Sequence, residues 1–247
     1  MDNWLTYFMT ETLGTMLLIV LGNGVVANIV LKNTKGNNGG WIAITAGWSF
    51  AVMLGATVSV ALGGDAHLNP AVTMAMIVNG WESNVGHFGL IPIMLVGQIL
   101  GAIVGQIIVD LFYIKHIHQT ITEKEEGLVL AIHSTGPTYK NTFINCFCEF
   151  IGTSVLLVAI MATSAQFTDA GWMGPIFVGL AVFAIGLSLG GTTGYAINPV
   201  RDLAPRLVHQ FLPVKGKGSS DWKYSWIPVV APLLAGCVIG ALFLIKT

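Results

Sequence analysis

Two Asn-Pro pairs carry side chains that are well suited to hydrogen-bond a polar molecule. They are Asn69-Pro70 and Asn198-Pro199. Proline fits the first turn of a helix, where its missing N–H would have had no partner, so each pair predicts a helix that begins at the proline. The asparagine amide can cap that helix or donate a hydrogen bond to another molecule. For one pair alone, either role is reasonable.

Charged residues also lie inside apolar stretches, where a charge typically costs about 2.5 to 3.5 kcal/mol on insertion scales. Arg201 follows the second Asn-Pro pair, and Glu11 and Glu149 lie in long apolar stretches. We expect each of them to face a wet cavity or to find a partner inside the protein. A structural Arg201 paired with Asp202 is the alternative, although Arg206 fits that structural role better.

The chain that must position these residues has the composition of a membrane protein. Of its 247 residues, 54% are hydrophobic and 9% are charged, and the mean hydropathy is +0.74. A net charge of −1 gives no field that would attract nucleic acid. The three cysteines have neither the paired spacing of secreted proteins nor a metal-ligand pattern with histidine, so we expect no metal and no cofactor.

Six uncharged stretches are each long enough for a helix of about 20 residues, which crosses a bilayer. They cover 12–31, 36–64, 88–109, 150–168, 170–200 and 224–245. Because lipid offers no partner to backbone groups, these spans must be helices. A seventh stretch, 68–81, has only 14 residues, which predicts a re-entrant segment.

The two halves of the chain are similar to each other. The sequence ETLGT around Glu11 matches EFIGT around Glu149, and the Asn-Pro pairs follow 58 and 49 residues later. An odd number of spans in each half inverts one repeat relative to the other and places a shared site near the midplane, where the broken helices meet. We predict a single domain over 1–247, with repeats over about 1–115 and 142–247 joined by a loop over 116–141.

The two motifs resemble the half-helix motifs of the aquaporin superfamily. The first reads HLNPA from His67, and the second reads GYAINPVRD from Gly194. Asp202 after Arg201 is more similar to the glycerol uptake facilitator branch, the aquaglyceroporins, than to strict water channels. The resemblance covers nearly the whole chain. It implies an all-α membrane protein with six transmembrane helices and two re-entrant half-helices in an inverted repeat.

The resemblance also implies a passive channel that conducts glycerol, water and other small uncharged solutes and excludes protons and ions. Two helix N-termini that meet in the pore each present about half a positive charge, which repels cations. The residues of the two implied pore motifs are Asn69, Pro70, Ala71, Asn198, Pro199 and Val200. A facilitator mainly for undissociated lactic acid, urea or hydrogen peroxide is the alternative within this class.

By the same resemblance, the selectivity filter consists of Trp48, Gly186, Tyr195 and Arg201. Arg201 would donate to solute oxygens and repel cations, while Trp48 and Tyr195 would form an apolar corner. Gly186, where strict water channels carry histidine, would leave room for a carbon backbone. Trp48 is one residue farther from Asn69 than in glycerol facilitators, so its assignment assumes an insertion, and a tryptophan packed between helices is the alternative.

A ladder of backbone carbonyl groups is implied as well. Its residues are Asp65, Ala66, His67, Leu68, Gly194, Ala196 and Ile197. Glu11 and Glu149 would hold this backbone, with Asp202 as a further support. Proton-coupling carboxylates, as in pumps, are the alternative for the two glutamates, but their matching places in both repeats favour support. Two residues depart from the family pattern: Asp65 replaces a small residue, and Val200 replaces alanine.

Other classes of function have less support in the sequence. The sequence has no nucleophile with a neighbouring base and no phosphate-binding loop, so we do not expect an enzyme. His116, His118 and His133 fall in the connecting loop, where we expect them to be solvated. Inverted repeats with broken helices also build secondary active transporters, but coupling would need ion ligands beyond Glu11 and Glu149.

The expected surroundings are the lipid bilayer of the plasma membrane and three further copies of the chain. The family resemblance implies a homotetramer with both termini in the cytoplasm. In that orientation ten of the eleven Lys and Arg residues lie on the outer side and only Lys246 lies inside. The positive-inside rule predicts the reverse, so composition and resemblance disagree about orientation.

Overall fold

The computed structural model describes residues 4–166 and 173–245, and every regular element in these ranges is a helix. The helices are α1 (Trp4–Val30), α2 (Trp41–Ala61), α3 (Pro70–Val78), α4 (Trp81–Asn84), α5 (Leu90–Thr122), α6 (Gly127–Ala131), α7 (Thr142–Gln166), α8 (Gly174–Leu189), α9 (Pro199–Phe211) and α10 (Ile227–Leu244). The prediction of an all-α protein is therefore confirmed. Lys246, the inner cation of the charge count, lies outside the described residues.

Helix length separates spans from half-helices. Helices α1, α2, α5, α7 and α10 are long and apolar enough to cross a membrane, and α8 is a shorter apolar helix of 16 residues. Helices α3 and α9 have 9 and 13 residues, and each begins at the proline of an Asn-Pro pair. At a rise of about 1.5 Å per residue, neither can cross about 30 Å of hydrocarbon alone.

The two halves of the chain interlock. Helix α1 packs against α2 and α5, and in the same way α7 packs against α8 and α10. Half-helix α3 packs chiefly against α10 of the other half, while α9 packs against both α5 and α10. Each half-helix is therefore held partly by a helix of the opposite repeat.

Glycines permit this close packing. A Cβ atom on Gly236 would lie 2.7 Å from the carbonyl oxygen of Ala71 in α3, and one on Gly240 would lie 2.5 Å from that of Ala75. Gly105 of α5 approaches α1 in the same way, since its Cβ would lie 2.8 Å from the carbonyl oxygen of Met16. Larger residues at these points would push the helix backbones apart.

The first part of the connection predicted as a loop over 116–141 is helical. Helix α5 has 33 residues and continues to Thr122. The uncharged stretch ended at Asp110, but this carboxylate is buried, with a side chain only 6% exposed, and lies 3.0 Å from Nε2 of His133. Because a buried and paired charge does not interrupt a helix, the span runs on past Asp110.

His133 is fully buried, which contradicts the expectation that it is solvated. Its Nδ1 lies 2.7 Å from the carbonyl oxygen of Val129, and the amide of Asn23 donates to the carbonyl oxygen of His133 at 3.2 Å. His116 is half-buried, with Nδ1 2.9 Å from the carbonyl oxygen of Lys32, whereas His118 is exposed as expected. The connection is therefore anchored to the helix bundle.

Candidate functional site

The two Asn-Pro pairs start their helices in the same way. Asn69 and Asn198 both have extended backbones, with φ of −159° and −154°. The side-chain oxygen of Asn69 accepts from the N–H of Ala71 at 2.8 Å, and that of Asn198 accepts from the N–H of Val200 at 3.1 Å. Both asparagines thus cap their half-helices, which was the structural alternative for each pair.

The same two amides also join the half-helices to each other. Nδ2 of Asn69 donates to the carbonyl oxygen of Ile197, and Nδ2 of Asn198 donates to that of Leu68, both at 2.9 Å. The N-termini of α3 and α9 therefore meet head to head. Since an amide nitrogen carries two hydrogens, each asparagine keeps one N–H for another acceptor, and both residues line a common cavity.

That cavity has a volume of about 520 Å³, and its lining residues extend from Gly174 and Pro175 at the start of α8 to the predicted filter. Six of the seven residues predicted for the carbonyl ladder line it, and Gly194 does not. Gly194 instead packs against Thr135, since a Cβ atom added to Gly194 would lie 3.3 Å from the Cβ atom of Thr135. The other walls of the cavity are mostly apolar. They include Leu18, Val52, Ala56, Val72, Leu156, Ile160, Val178 and Val182.

The backbone before each half-helix alternates into the left-handed region. Ala66 and Leu68 have φ of 53° and 51°, and Tyr195 and Ile197 have φ of 39° and 44°. Such conformations cost about 1 to 3 kcal/mol each and persist only where the surroundings enforce them. The structure therefore needs strong supports on both loops.

Glu11 supplies the first of these supports. Its carboxylate accepts from the backbone N–H of His67 at 2.8 Å and of Leu68 at 2.7 Å. The amide of Gln98 in α5 donates to it at 2.8 Å, and Glu11 is fully buried. A carboxylate with three donors is satisfied without a bound cation.

Glu149 holds the second loop with the same kind of bonds. It accepts from the backbone N–H of Ala196 at 3.1 Å and of Ile197 at 2.9 Å, and from the hydroxyl of Thr193 at 2.7 Å. It is also fully buried. Gln98 and Thr193, which complete the two supports, were not identified from the sequence because neither lies within a motif.

Three of the four predicted filter residues line the cavity: Trp48, Tyr195 and Arg201. All three are nearly buried, with exposed fractions of 5%, 6% and 7%. The guanidinium carbon of Arg201 lies 4.1 Å from the centroid of the Trp48 ring. The ring of Trp48 in turn packs against Gly22 of α1. An aromatic face and a fixed cation therefore lie side by side at this end of the cavity.

Gly186 has a different position from the predicted one. It does not line the cavity, and a Cβ atom there would lie 3.0 Å from Cζ and Oη of Tyr195 and 2.7 Å from Cγ2 of Thr45. The space left by its missing side chain is occupied by the Tyr195 ring. Gly186 thus makes room for a solute indirectly, because it lets that ring lie back against α8.

Asp202 pairs with Arg206 and not with Arg201. Nε of Arg206 donates to Oδ1 of Asp202 at 2.9 Å, and both side chains are fully buried. Asp202 also accepts from the backbone N–H and the hydroxyl of Thr135, both at 2.7 Å. Within the described residues, Nη1 of Arg201 has no hydrogen-bond partner. The cation in the cavity is therefore unpaired, while its neighbour Arg206 is structural.

Comparisons with known proteins agree with this geometry. The sequence profile of the family described as major intrinsic protein matches residues 2–244. The chain is 44% identical to the glycerol uptake facilitator protein of Bacillus subtilis over 243 residues, which are 97% of this chain and 84% of that protein. It is 48% identical to glycerol uptake facilitator protein 3 of Lactiplantibacillus plantarum over 237 residues, 94% of this chain and 93% of that one. The X-ray structure of the aquaglyceroporin from Plasmodium falciparum superposes with a TM-score of 0.82 at 31% identity, covering 98% of this chain and 96% of that one.

Proposed function

Because the chain belongs to the major intrinsic protein family, we propose that it is a passive membrane channel for glycerol, water and other small uncharged solutes. One observation carries the proposal. The head-to-head contact of α3 and α9 lies on a cavity that ends at an aromatic ring, a second aromatic ring and an unpaired guanidinium. This set of groups suits a neutral molecule that has both hydroxyl groups and a carbon backbone.

Protons and cations are excluded by the fixed positive potential at the centre of the pore. Each half-helix N-terminus contributes about half a positive charge, and the two point at the same place. The free N–H of Asn69 and that of Asn198 donate to the oxygen of a passing water or alcohol. A water molecule that accepts from both amides has its oxygen bound from the two sides, which interrupts a proton-conducting chain of waters.

A polyol is matched by the two kinds of wall. The backbone carbonyls of the loops before α3 and α9 accept hydrogen bonds from solute hydroxyl groups along one side. The apolar side chains on the opposite side contact the solute carbons without taking polar groups out of water. At the filter, Arg201 donates to solute oxygens while Trp48 and Tyr195 contact carbon.

The glutamates act as supports and carry no coupled proton. Glu11 and Glu149 each accept three hydrogen bonds from the backbone and side chains that they hold, and this favours a fixed structural role over that of an ion ligand. Within the described residues no group of three His, Cys, Asp or Glu side chains could hold a metal ion. A static pore is therefore favoured over coupled transport. Undissociated lactic acid, urea and hydrogen peroxide fit the same filter as secondary solutes.

The chain is a multi-pass membrane protein, and we place it in the plasma membrane as a homotetramer with both termini in the cytoplasm. Arg201 and Arg206 are buried within the re-entrant half-helix and do not count as loop charges for orientation. Cross-linking in the membrane tests the tetramer. Trypsin added outside intact cells tests the orientation, since it would cut at Lys215 and Lys223 only if their loop lies outside.

The channel is tested in proteoliposomes with the wild type and an Arg201→Ala variant. We expect the wild type to take up glycerol without any ion gradient. Because the variant loses the fixed charge beside the aromatic rings, we expect its proton leak to rise at least about tenfold, which corresponds to about 1.4 kcal/mol of barrier. Light scattering reports glycerol uptake, and a trapped pH-sensitive dye reports protons.

Lys223→Ala is the control for this experiment, because it removes an exposed loop cation instead of the buried one. If liposomes that contain the wild type take up glycerol no faster than empty liposomes, the proposed channel function is overturned. An Arg201→Ala variant with the same proton leak as the wild type would overturn the role of Arg201 in the barrier to protons.

A further inference from the structure

The ring of Tyr195 lies in a slot whose walls are outside the pore. Gly186 forms one wall, and Gly190, which directly follows the last residue of α8, forms the next: a Cβ atom on Gly190 would lie 2.5 Å from Cδ1 of Tyr195. The indole of Trp41 closes the slot, with its ring centroid 5.9 Å from that of Tyr195 in an edge-to-face arrangement. Neither Gly190 nor Trp41 lines the cavity.

Trp41 is fixed to the end of α8 by a hydrogen bond. Its Nε1 donates to the carbonyl oxygen of Gly186 at 2.8 Å. Helix α8 ends at Leu189, so Gly186 carries one of the last four carbonyl groups, which lack a partner within the helix. The indole supplies a partner and is thereby held at a fixed distance from the slot.

Packing holds the Tyr195 ring in the slot, and its own hydroxyl group does not. Within the described residues, Oη of Tyr195 is buried without a hydrogen-bond partner, which is unfavourable for a hydroxyl group. The backbone on either side is fixed, because Glu149 binds the N–H of Ala196 and the hydroxyl of Thr193. The position of the ring therefore depends on the surfaces that surround it.

We propose that Trp41 and Gly190 are positioning residues that set the width of the filter by fixing the Tyr195 ring opposite Arg201. The inference rests on the proposed channel function and extends it to residues that no solute touches. Removing the indole gives the ring space to retreat from the pore, so wider solutes pass. A methyl group at Gly190 would also meet the carbonyl oxygen of Gly186 at 2.6 Å and Cζ2 of Trp41 at 2.8 Å, which close the slot behind it. The Tyr195 ring is therefore pushed toward the pore, so even glycerol is hindered.

The test measures a ratio of permeabilities in proteoliposomes. Pentaerythritol has the hydroxyl groups of a polyol but a larger cross-section than glycerol, so the ratio of its permeability to that of glycerol reports the width of the filter. In Trp41→Ala we expect this ratio to rise about tenfold, the scale of discrimination that one extra group in a tight site provides. In Gly190→Ala we expect glycerol uptake to fall relative to water. Trp41→Phe keeps an aromatic edge without the N–H and should lie between the wild type and Trp41→Ala.

The matched control is Trp222→Ala. Trp222 is 41% exposed against 40% for Trp41, and its Nε1 also makes a hydrogen bond, to Oε1 of Gln210, but it lies far from the slot in the chain. A purely structural role of Trp41 would lower both fluxes together and leave the ratio unchanged. In a Tyr195→Ala background, Trp41→Ala should have no further effect on the ratio, because the ring that it positions is gone.

The outcomes separate the two proposals. If the wild type conducts glycerol but the ratio is unchanged in both Trp41→Ala and Trp41→Phe, the positioning role is overturned and the channel stands. A higher pentaerythritol-to-glycerol ratio in Trp41→Ala, together with slower glycerol uptake relative to water in Gly190→Ala, supports the positioning role. A wild type that conducts no glycerol overturns the channel and with it the inference.

Discussion

A Gly186→His variant is expected to lose glycerol conduction by more than about a hundredfold, the upper range for discrimination by a crowded hydrophobic site. A Cβ atom at Gly186 would lie 3.0 Å from Cζ and Oη of Tyr195 and 2.7 Å from Cγ2 of Thr45, all closer than van der Waals contact. The Tyr195 ring must then move into the pore, where Arg201 and Trp48 leave it little room. Stopped-flow light scattering in glycerol and in sucrose gradients measures the loss and shows how much water conduction remains.

Gly191→His is the matched control for this variant. Gly191 follows α8 closely, and a Cβ atom there would have no neighbour within 4 Å, so the same side chain should be tolerated. A double variant tests the cause: Gly186→Ala should hinder glycerol, and adding Tyr195→Ala should restore its passage by removing the displaced ring. Glycerol conduction that survives in Gly186→His would show that the slot is not needed for the width of the filter.

A Glu149→Gln variant is expected to be both less stable and non-conducting. The glutamine amide can accept through only one of its two side-chain atoms, so at least one buried donor among Thr193, Ala196 and Ile197 loses its partner. Each unsatisfied buried group costs about 1 to 3 kcal/mol, which for a chain of this size lowers the melting temperature by several degrees. The change is measured as the apparent melting temperature in detergent, followed by glycerol uptake.

Glu123→Gln is the control, because Glu123 is an exposed carboxylate at the end of α5. Glu11→Gln should repeat the loss, since Glu11 holds the first loop by equivalent bonds. The alternative of proton coupling makes the opposite prediction: a stable Glu149→Gln protein with uncoupled transport, whose wild type responds to a pH gradient. A stable Glu149→Gln protein of this kind would contradict the role of Glu149 as a support of the second loop.

Local sequence was enough to predict the parts of the site that depend on neighbours along the chain. Each Asn-Pro pair starts a half-helix at its proline because the requirements of a helix N-terminus are met within a few residues. The glutamates could be paired with their loops because both repeats carry the same arrangement. These features do not depend on how distant helices pack.

The remaining features depend on contacts between distant segments. Trp41 lies 145 residues from the carbonyl group that it binds, and no motif marks it. Gly186 was predicted to line the filter directly, because the sequence shows that a side chain is missing there. Only the packing shows that the Tyr195 ring fills the space that this leaves. The length of α5 was underestimated because the charge of Asp110 suggested a helix end, whereas Nε2 of His133 from the following connection contacts this carboxylate in the interior at 3.0 Å.

The crossed packing of the half-helices also bears on how the chain is made. Helix α3 finds its chief packing surface on α10, which is synthesised after every other helix of the described residues. Glu11 of α1 and Gln98 of α5 can hold the loop before the first half-helix early in synthesis, whereas its chief packing surface is added only with α10. A nascent chain that has not yet inserted α10 therefore lacks one wall of the first half-helix, and we expect it to conduct no solute.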